Sequence, residues 1–226
     1  MKIKISMEDY LKPTEFCDYK NPVISTAVKE LTKNDKTPRE MALSIFHFVR
    51  DQIRFLMVSE DDKASNTLMK KFGDCGTKTN LQVAMLRASN IPARYHNASL
   101  HKECLKGIVS KLFYKISPKI LEHHLWCECY LSEKWISCDG LLDKPLVEVL
   151  LRKGIITKEQ IKSTDWDGEN NLNTMVNWMI QDKGTFPFLE NLMREIKQNS
   201  KKYPIKLVGF IINQSNKYTN KIRSQF

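Results

Sequence analysis

The sequence lacks features that would place it among membrane or secreted proteins. No stretch of its 226 residues approaches the roughly 18 consecutive apolar residues that cross a bilayer, so we expect no membrane span. The segment Met1–Asp9 contains no unbroken apolar run of the kind that secretory signals carry, and a cytoplasmic location is therefore the default expectation. With 42% hydrophobic residues, the length predicts one domain over residues 1–226 with an ordinary core.

Paired cysteine motifs are also missing. The six cysteines are irregularly spaced, and no Cys-x-x-Cys pair occurs. A metal site built from Cys127, Cys129, Cys138 and His123 is conceivable, but Cys-x-Cys on a strand is not the usual structural zinc spacing. We therefore expect no metal site and no disulfide scaffold, with most of the thiols reduced and buried.

Acidic residues are absent from Ile196 to Phe226, which contains seven Lys or Arg. The chain as a whole has a net charge of +10, so its basic C-terminus could attract an anionic partner. A general enrichment in Lys, Asn and Ile explains this charge equally well. No Arg-rich face, RNA-binding aromatic signature or zinc-finger spacing is present, and nucleic acid is disfavoured as the main partner.

Two of the helices predicted in the first half of the chain have clear start signals. Thr37-Pro38-Arg39-Glu40 combines an N-cap, a proline at the first helical position and a glutamate at the third, and this helix should end near Arg54. The second helix begins at Cys75 and runs for about 14 residues. Asn90 can serve as its left-handed cap, and Pro92 prevents its continuation.

A β-hairpin is predicted downstream, with strands His124–Leu131 and Trp135–Asp139 around a two-residue turn. That turn places Trp126 opposite Asp139, with His124 one diagonal position away on the same face, about 7–8 Å between Cα atoms. A slip of one residue would send Asp139 to the opposite face. The register is thus a testable part of the prediction.

Helices and strands together indicate an α+β fold, with a core over about 38–145 and a basic helical extension over about 146–226. Other elements are predicted from the same patterns: a helix at Val23–Leu31, a helical turn at Ser65–Lys71, a strand at Ala93–Asn97, and helices near 145–153, 157–162, 172–182 and 187–199. The basic segment 98–121 is ambiguous and could be an insertion beside the site. Thr164–Gly168 could either cover the cleft or cap a helix.

Cys75 is the candidate nucleophile, because the preceding Asp74 is a good N-cap and places its side chain in the first turn of a helix. Unpaired N–H groups and the positive end of the helix dipole favour a thiolate there. The same N–H groups can donate to an oxyanion. The small residues Gly73 and Gly76 would let a substrate carbonyl approach the backbone.

His124 is the candidate base and Asp139 its orienting carboxylate, which completes the set that thiol acyl transfer needs. His123 points with the opposite face of its strand and fits a surface or packing role better. Asp139 could instead be a turn residue before Gly140, with Asp143 as the fallback for the third role. Two further residues on the His124 face, Trp126 and Glu128, are candidate substrate contacts or packing residues.

These residues resemble the transglutaminase-like superfamily, a branch of the papain-like cysteine enzymes. The resemblance covers roughly residues 40–140. It depends on Phe48-Val49-Arg50-Asp51-Gln52-Ile53, Gly73-Asp74-Cys75, Met85-Leu86-Arg87-Ala88, Ile91-Pro92-Ala93-Arg94, His124-Leu125-Trp126-Cys127-Glu128, and Trp135 with Asp139. Leu125 replaces a usually small residue, and segment 98–121 is longer than the compact loop of the family. No acidic cluster matches a calcium site.

The resemblance implies Cys75 as nucleophile, His124 as base and acid, and Asp139 as orienting acid. It also implies a thioester intermediate that forms without a cofactor. The expected substrate is a peptide or protein, and hydrolysis of a peptide or isopeptide bond is the first choice. A cross-linking transglutaminase, a non-catalytic binding member and a peptide N-glycanase are the alternatives. The last is weakened because the paired Cys-x-x-Cys zinc ligands of that branch are missing.

Overall fold

The computed structural model describes residues 5–58, 62–199 and 205–226. Its α-helices are α1 (Pro22–Leu31), α2 (Pro38–Gln52), α3 (Ala64–Lys70), α4 (Cys75–Ala88), α5 (Lys111–Ile116), α6 (Lys144–Arg152), α7 (Glu190–Asn199) and α8 (Ile205–Arg223). Its strands are β1 (Arg54–Phe55), β2 (Phe72–Gly73), β3 (Ala93–His101), β4 (Ile120–Leu131), β5 (Lys134–Ser137) and β6 (Met179–Phe186). The α+β prediction is confirmed. The described helices include none long and apolar enough to cross a bilayer.

Helix α2 begins as its sequence predicts. Thr37 Oγ1 accepts a hydrogen bond from the Glu40 N–H at 3.2 Å, and the Glu40 carboxylate accepts one from the Thr37 N–H at 3.0 Å. This reciprocal cap satisfies two backbone donors that the first turn leaves unpaired. The helix ends at Gln52, because the chain then extends into β1, which pairs in parallel with β2.

The main sheet has the order β5-β4-β3-β6, and all its pairs are antiparallel. Strand β6 occupies residues that the sequence assigned to a helix at 172–182, and that assignment is wrong. Most of β6 is exposed at the sheet edge, so its sequence shows no alternation of apolar and polar residues. Its pairing with β3 is a tertiary contact, which local pattern does not reveal.

The hairpin register is confirmed, with Leu131 opposite Lys134 and Glu128 opposite Ser137. Ser132 and Glu133 both have positive φ, 48° and 63°, as a two-residue type I′ turn requires.

The second strand of the hairpin is shorter than predicted. The Cys138 N–H still donates to the Cys127 carbonyl at 2.9 Å, but β5 ends at Ser137. The expected strand end at Asp139 is wrong, because the Asp139 N–H turns to the Leu172 carbonyl at 3.1 Å.

Helix α4 packs against the face of β4 that carries Leu125, Cys127 and Cys129, all of which are buried. The Thr79 hydroxyl adds a hydrogen bond of 3.1 Å to the Leu125 carbonyl. Burial of this apolar face supplies the main driving force for the contact. The packing fixes the start of α4, and hence Cys75, relative to the strand that carries His124.

A second apolar cluster joins α6, α8 and the segment between β3 and β4. That segment, ambiguous in the sequence, forms a short 3₁₀ helix at Lys102–Leu105 followed by α5. The helix predicted near 145–153 is confirmed as α6, whereas residues 157–162 form turns and not a helix. Helix α7 confirms the prediction for 187–199.

Candidate active site

Cys75 is the first residue of α4, and the Asp74 cap fixes that position. Asp74 Oδ1 accepts hydrogen bonds from the Gly76 N–H at 3.1 Å and the Thr77 N–H at 3.2 Å, while Thr77 Oγ1 accepts one from the Asp74 N–H at 3.0 Å. The side chain of Cys75 is half-buried, whereas the other five cysteines are buried. Cys75 is therefore the accessible thiol among the six.

His124 lies in β4 and is only 4% exposed. Burial lowers the pKa of its imidazole, and the negative charge of Asp139 opposes that shift without cancelling it. Burial therefore favours the neutral form of the ring over the imidazolium. Within the described part of the chain, its buried Nε2 has no hydrogen-bond partner. A neutral imidazole of this kind is able to accept a proton.

Asp139 is 2% exposed and is held by three donors. Its Oδ1 accepts from the Leu141 N–H at 3.1 Å, and its Oδ2 accepts from the Thr174 N–H at 3.0 Å and from the Thr174 hydroxyl. The role of Thr174 was not predicted from the sequence, because a single threonine 35 residues downstream of Asp139 belongs to no motif. The carboxylate is thus held in place while its charge acts on His124.

Cys75 and His124 both line one cavity of about 290 Å³. Asp139 is not among the residues that line it. A larger cavity, of about 470 Å³, borders His123 and Asn97 and includes neither Cys75 nor His124 among its lining residues. The smaller cavity is the one that joins the predicted nucleophile to the predicted base, so its position matters more than its size.

The comparisons with known proteins identify the family of the chain. Residues 25–140 match the family model of the transglutaminase-like superfamily, which is just over half of the chain. The chain belongs to the transglutaminase-like superfamily. No curated protein has a significant match to the sequence.

One solved structure shows a similar fold at low sequence identity. A crystal structure described as a putative cysteine protease from Cytophaga hutchinsonii is 16% identical, with a TM-score of 0.54 over 84% of this chain and 50% of that one. The periplasmic domain of TgpA from Pseudomonas aeruginosa is 16% identical, with a TM-score of 0.42 over 67% of this chain and 51% of that one. This transglutaminase-like chain spans about half the length of each.

Trp126 and Glu128 lie on the His124 face of β4 but do not line the cavity that contains Cys75 and His124. The Trp126 ring stacks on His96, with centroids 4.0 Å apart, and Glu128 accepts hydrogen bonds from Arg94 at 2.8 Å and from His96 at 2.7 Å. Burial lowers the pKa of His96, but hydrogen bonds to Glu128 and Asp182 outweigh it and raise the pKa. Contact of Trp126 or Glu128 with substrate stays a prediction.

The two glycines beside the nucleophile have structural partners of their own. A Cβ at Gly73 would lie 2.3 Å from Thr77 Oγ1, so a larger residue there would displace the cap of α4. The N–H of Gly76 already donates to Asp74. Their part in binding an oxyanion stays a prediction.

Asp143, the fallback carboxylate, is engaged elsewhere. It caps α6 and forms a two-pronged pair with Arg223, in which Nε–Oδ1 and Nη2–Oδ2 are both 2.7 Å. The segment Thr164–Gly168 packs against α2, where Trp166 contacts Phe46 with ring centroids 5.6 Å apart. These placements leave Asp139 as the carboxylate whose charge acts on His124.

Cys127, Cys129 and Cys138 cluster on the buried side of the hairpin. The sulfurs of Cys138 and Cys129 are 3.9 Å apart, and burial raises the pKa of the Cys127 and Cys138 thiols. Among the residues that the structure describes, no group of three or more His, Cys, Asp or Glu side chains is placed to hold a metal ion. Protonated thiols of this kind pack as small apolar side chains.

Proposed function

We propose that the protein is a cysteine-dependent hydrolase that cleaves a peptide or isopeptide bond through a thioester on Cys75. One observation carries the proposal: the accessible thiol at the start of α4 and the neutral imidazole of His124 line the same cavity. A helix start favours the thiolate form of cysteine, and a neighbouring imidazole can hold its proton. Membership of the transglutaminase-like superfamily supports this chemistry.

Acylation follows from these positions. His124 takes the proton of the Cys75 thiol, and the sulfur attacks the substrate carbonyl to form a tetrahedral oxyanion. The carbon–nitrogen bond then breaks as the imidazolium returns its proton to the leaving amine. Cys75 is left as a thioester, and His124 is neutral again.

Deacylation uses the same two residues. Neutral His124 accepts a proton from water as the hydroxide oxygen attacks the thioester carbonyl. The carbon–sulfur bond breaks, the product leaves as a carboxylic acid, and the proton on His124 returns to the sulfur. Asp139 touches neither the carbonyl nor the sulfur in this scheme. It is a positioning residue that stabilises the imidazolium formed in each half-reaction.

The test is cleavage of a peptide library by the wild-type protein and by Cys75→Ala, each with and without an added primary amine. We expect hydrolysis by the wild type, resolved by mass spectrometry, and none above background by the variant. Cys17→Ala, which alters a buried thiol in the core, serves as the matched control and should retain activity. Full activity of Cys75→Ala would refute the assignment, and an amide formed with the added amine would indicate transamidation.

A further inference from the structure

The cavity beside Cys75 has walls that are almost wholly apolar. Its apolar lining residues include Phe55, Met57, Ile108, Phe113, Leu121 and Met175. Its volume of about 290 Å³ lies near the lower end of the range for small-molecule sites, roughly 300–1,000 Å³. This space suits a single side chain better than a folded surface.

The basic segment between β3 and β4 keeps its charges away from this space. The Lys102 ammonium donates to the carbonyls of Tyr114 at 3.2 Å and Ser117 at 3.3 Å, and Lys106 pairs with Glu103 at 3.8 Å. None of these charged side chains lines the cavity. The segment is therefore basic towards solvent and apolar towards Cys75.

The one carboxylate that lines the cavity is Asp74, and it is already engaged as a cap. Its Oδ1 accepts from the backbone of Gly76 and Thr77. A substrate ammonium in the cavity would have to compete with those hydrogen bonds. Apart from Cys75 and His124, the remaining polar side chains of the lining are Ser117 and His123, so the lining offers few partners for a buried charge.

Helix α8 holds part of the cavity wall in place through hydrogen bonds to the backbone of two lining residues. Asn216 exchanges two hydrogen bonds of 2.9 Å with the backbone of Met57, and the Thr219 hydroxyl donates to the Ile108 carbonyl at 2.8 Å. These contacts tie two walls of the cavity to one helix. A pocket held in this way is preorganised for its ligand, which lowers the entropic cost of binding.

We propose that this cavity binds one large apolar side chain, such as leucine, methionine or phenylalanine, from the residue whose carbonyl Cys75 attacks. The inference rests on the proposed function. Because Cys75 and His124 both line the cavity, the residue that carries the reacting carbonyl is placed to fill it with its own side chain. Burial of that side chain favours binding, whereas a lysine, glutamate or glutamine side chain would lose its hydration and gain few hydrogen-bond partners.

The experiment compares the rates at which acetyl-aminoacyl chloromethyl ketones alkylate Cys75, with leucine, phenylalanine, alanine, lysine or glutamine next to the reactive carbon. Iodoacetamide, which has no side chain, supplies the reference rate for the thiol. We expect the leucine and phenylalanine reagents to react at least tenfold faster than the alanine and lysine reagents. This ratio corresponds to full burial of a large apolar side chain, roughly a 10- to 150-fold effect.

Two variants of the cavity wall sharpen the test. Phe113→Ala removes a wall residue of α5, whereas Leu112→Ala removes a neighbour that is 48% exposed and outside the cavity. The leucine-to-alanine rate ratio should fall at least threefold in Phe113→Ala and stay unchanged in Leu112→Ala. Leu121→Phe narrows the cavity without removing a contact, and it should slow the phenylalanine reagent most.

The outcomes separate this inference from the proposed function. If iodoacetamide alkylates Cys75 and the peptide library is cleaved, but all five chloromethyl ketones react equally fast, the apolar pocket is refuted and the hydrolase survives. If Cys75 is inert and nothing is cleaved, the hydrolase is refuted. Binding of acetyl-leucine amide and acetyl-lysine amide to Cys75→Ala, followed by NMR, then tests the cavity alone. Equal affinity for the two amides would refute the proposed preference of the cavity for an apolar side chain.

Discussion

Thr174 holds the carboxylate of Asp139 with two donors at once, its backbone N–H at 3.0 Å and its side-chain hydroxyl. Both donors bind the same oxygen, Oδ2, and both residues are buried. Hydrogen bonds to a charged acceptor are among the stronger ones in proteins. The position of the Asp139 carboxylate thus depends on a residue that lies outside the matched family region.

We expect Thr174→Val to lower kcat about tenfold with little change in KM. The substitution keeps the shape of the side chain but removes the hydroxyl donor, so Asp139 is less well held while the cavity is unchanged. The lost hydrogen bond should also lower the free energy of unfolding by about 1.5–3 kcal/mol. Steady-state kinetics and urea unfolding measure the two effects.

Thr174→Ser is the matched control for this variant, because it keeps the hydroxyl. It should retain most of the activity. An equal loss of kcat in both variants would show that the methyl group, and not the hydrogen bond, matters at this position.

The pH dependence of kcat/KM should reveal the link between Asp139 and His124. Burial lowers the pKa of His124, so the acid limb that reports this group should lie below its ordinary value of about 6.5. The charge of Asp139 raises that pKa, and Asp139→Asn should therefore move the limb to still lower pH. We also expect a loss of kcat of roughly 10²–10⁴-fold, because the imidazolium is no longer stabilised. If the acid limb of kcat/KM moved to higher pH in Asp139→Asn, Asp139 would not be the carboxylate that acts on His124.

Alkylation should select Cys75 among the six cysteines. Burial raises the pKa of Cys17 to about 11 and that of Cys104 to about 12, so both thiols are protonated at pH 7. Only the thiolate attacks iodoacetamide at a useful rate. One equivalent of label is expected, located at Cys75 by peptide mapping. Labelling of another cysteine in the folded protein while Cys75 resists would remove the nucleophile from the scheme.

We expect the ion pair between Arg223 and Asp143 to contribute more than any other contact to holding α8 against the rest of the protein. Asp143 is 1% exposed, so Arg223→Gln leaves a buried carboxylate without the guanidinium that pairs with it. We expect the free energy of unfolding to fall by about 3–5 kcal/mol at pH 7. Lys217→Gln, which removes an exposed cation from the same helix, should have little effect.

At acidic pH, Arg223→Gln should lower the free energy of unfolding by less than at pH 7. Burial raises the pKa of Asp143, but the Arg223 hydrogen bonds outweigh it and hold the pKa below its ordinary value of about 3.9. The stability that this group contributes is therefore complete above pH 4 and is lost as the pH falls through the lowered pKa. The difference between the wild type and Arg223→Gln should narrow below pH 4, as urea unfolding at several pH values would show. A constant difference would mean that the effect of Arg223 is not electrostatic.

Local sequence was informative wherever a short-range rule decides the structure. The Asp74 cap placed the start of α4, and the Ser132-Glu133 turn set the register of β4 and β5, because both depend on residues within four positions of each other. The end of β5 was misjudged by two residues, since Leu172 captures the Asp139 N–H. Strand β6 was missed for the same reason: it pairs with β3 from a distant part of the chain.

By itself, the sequence determined the superfamily, the identity of Cys75, His124 and Asp139 as candidates, and the helix and hairpin that present them. Only the tertiary structure decided which residue holds Asp139, which charges are buried, and what surrounds Cys75. Thr174, Arg223 and the walls of the apolar cavity come from segments far apart in the chain, and neither periodicity nor motif spacing records such contacts. Short sequence motifs thus identify the candidate catalytic residues, whereas the proposed choice of substrate depends on tertiary packing around the cavity.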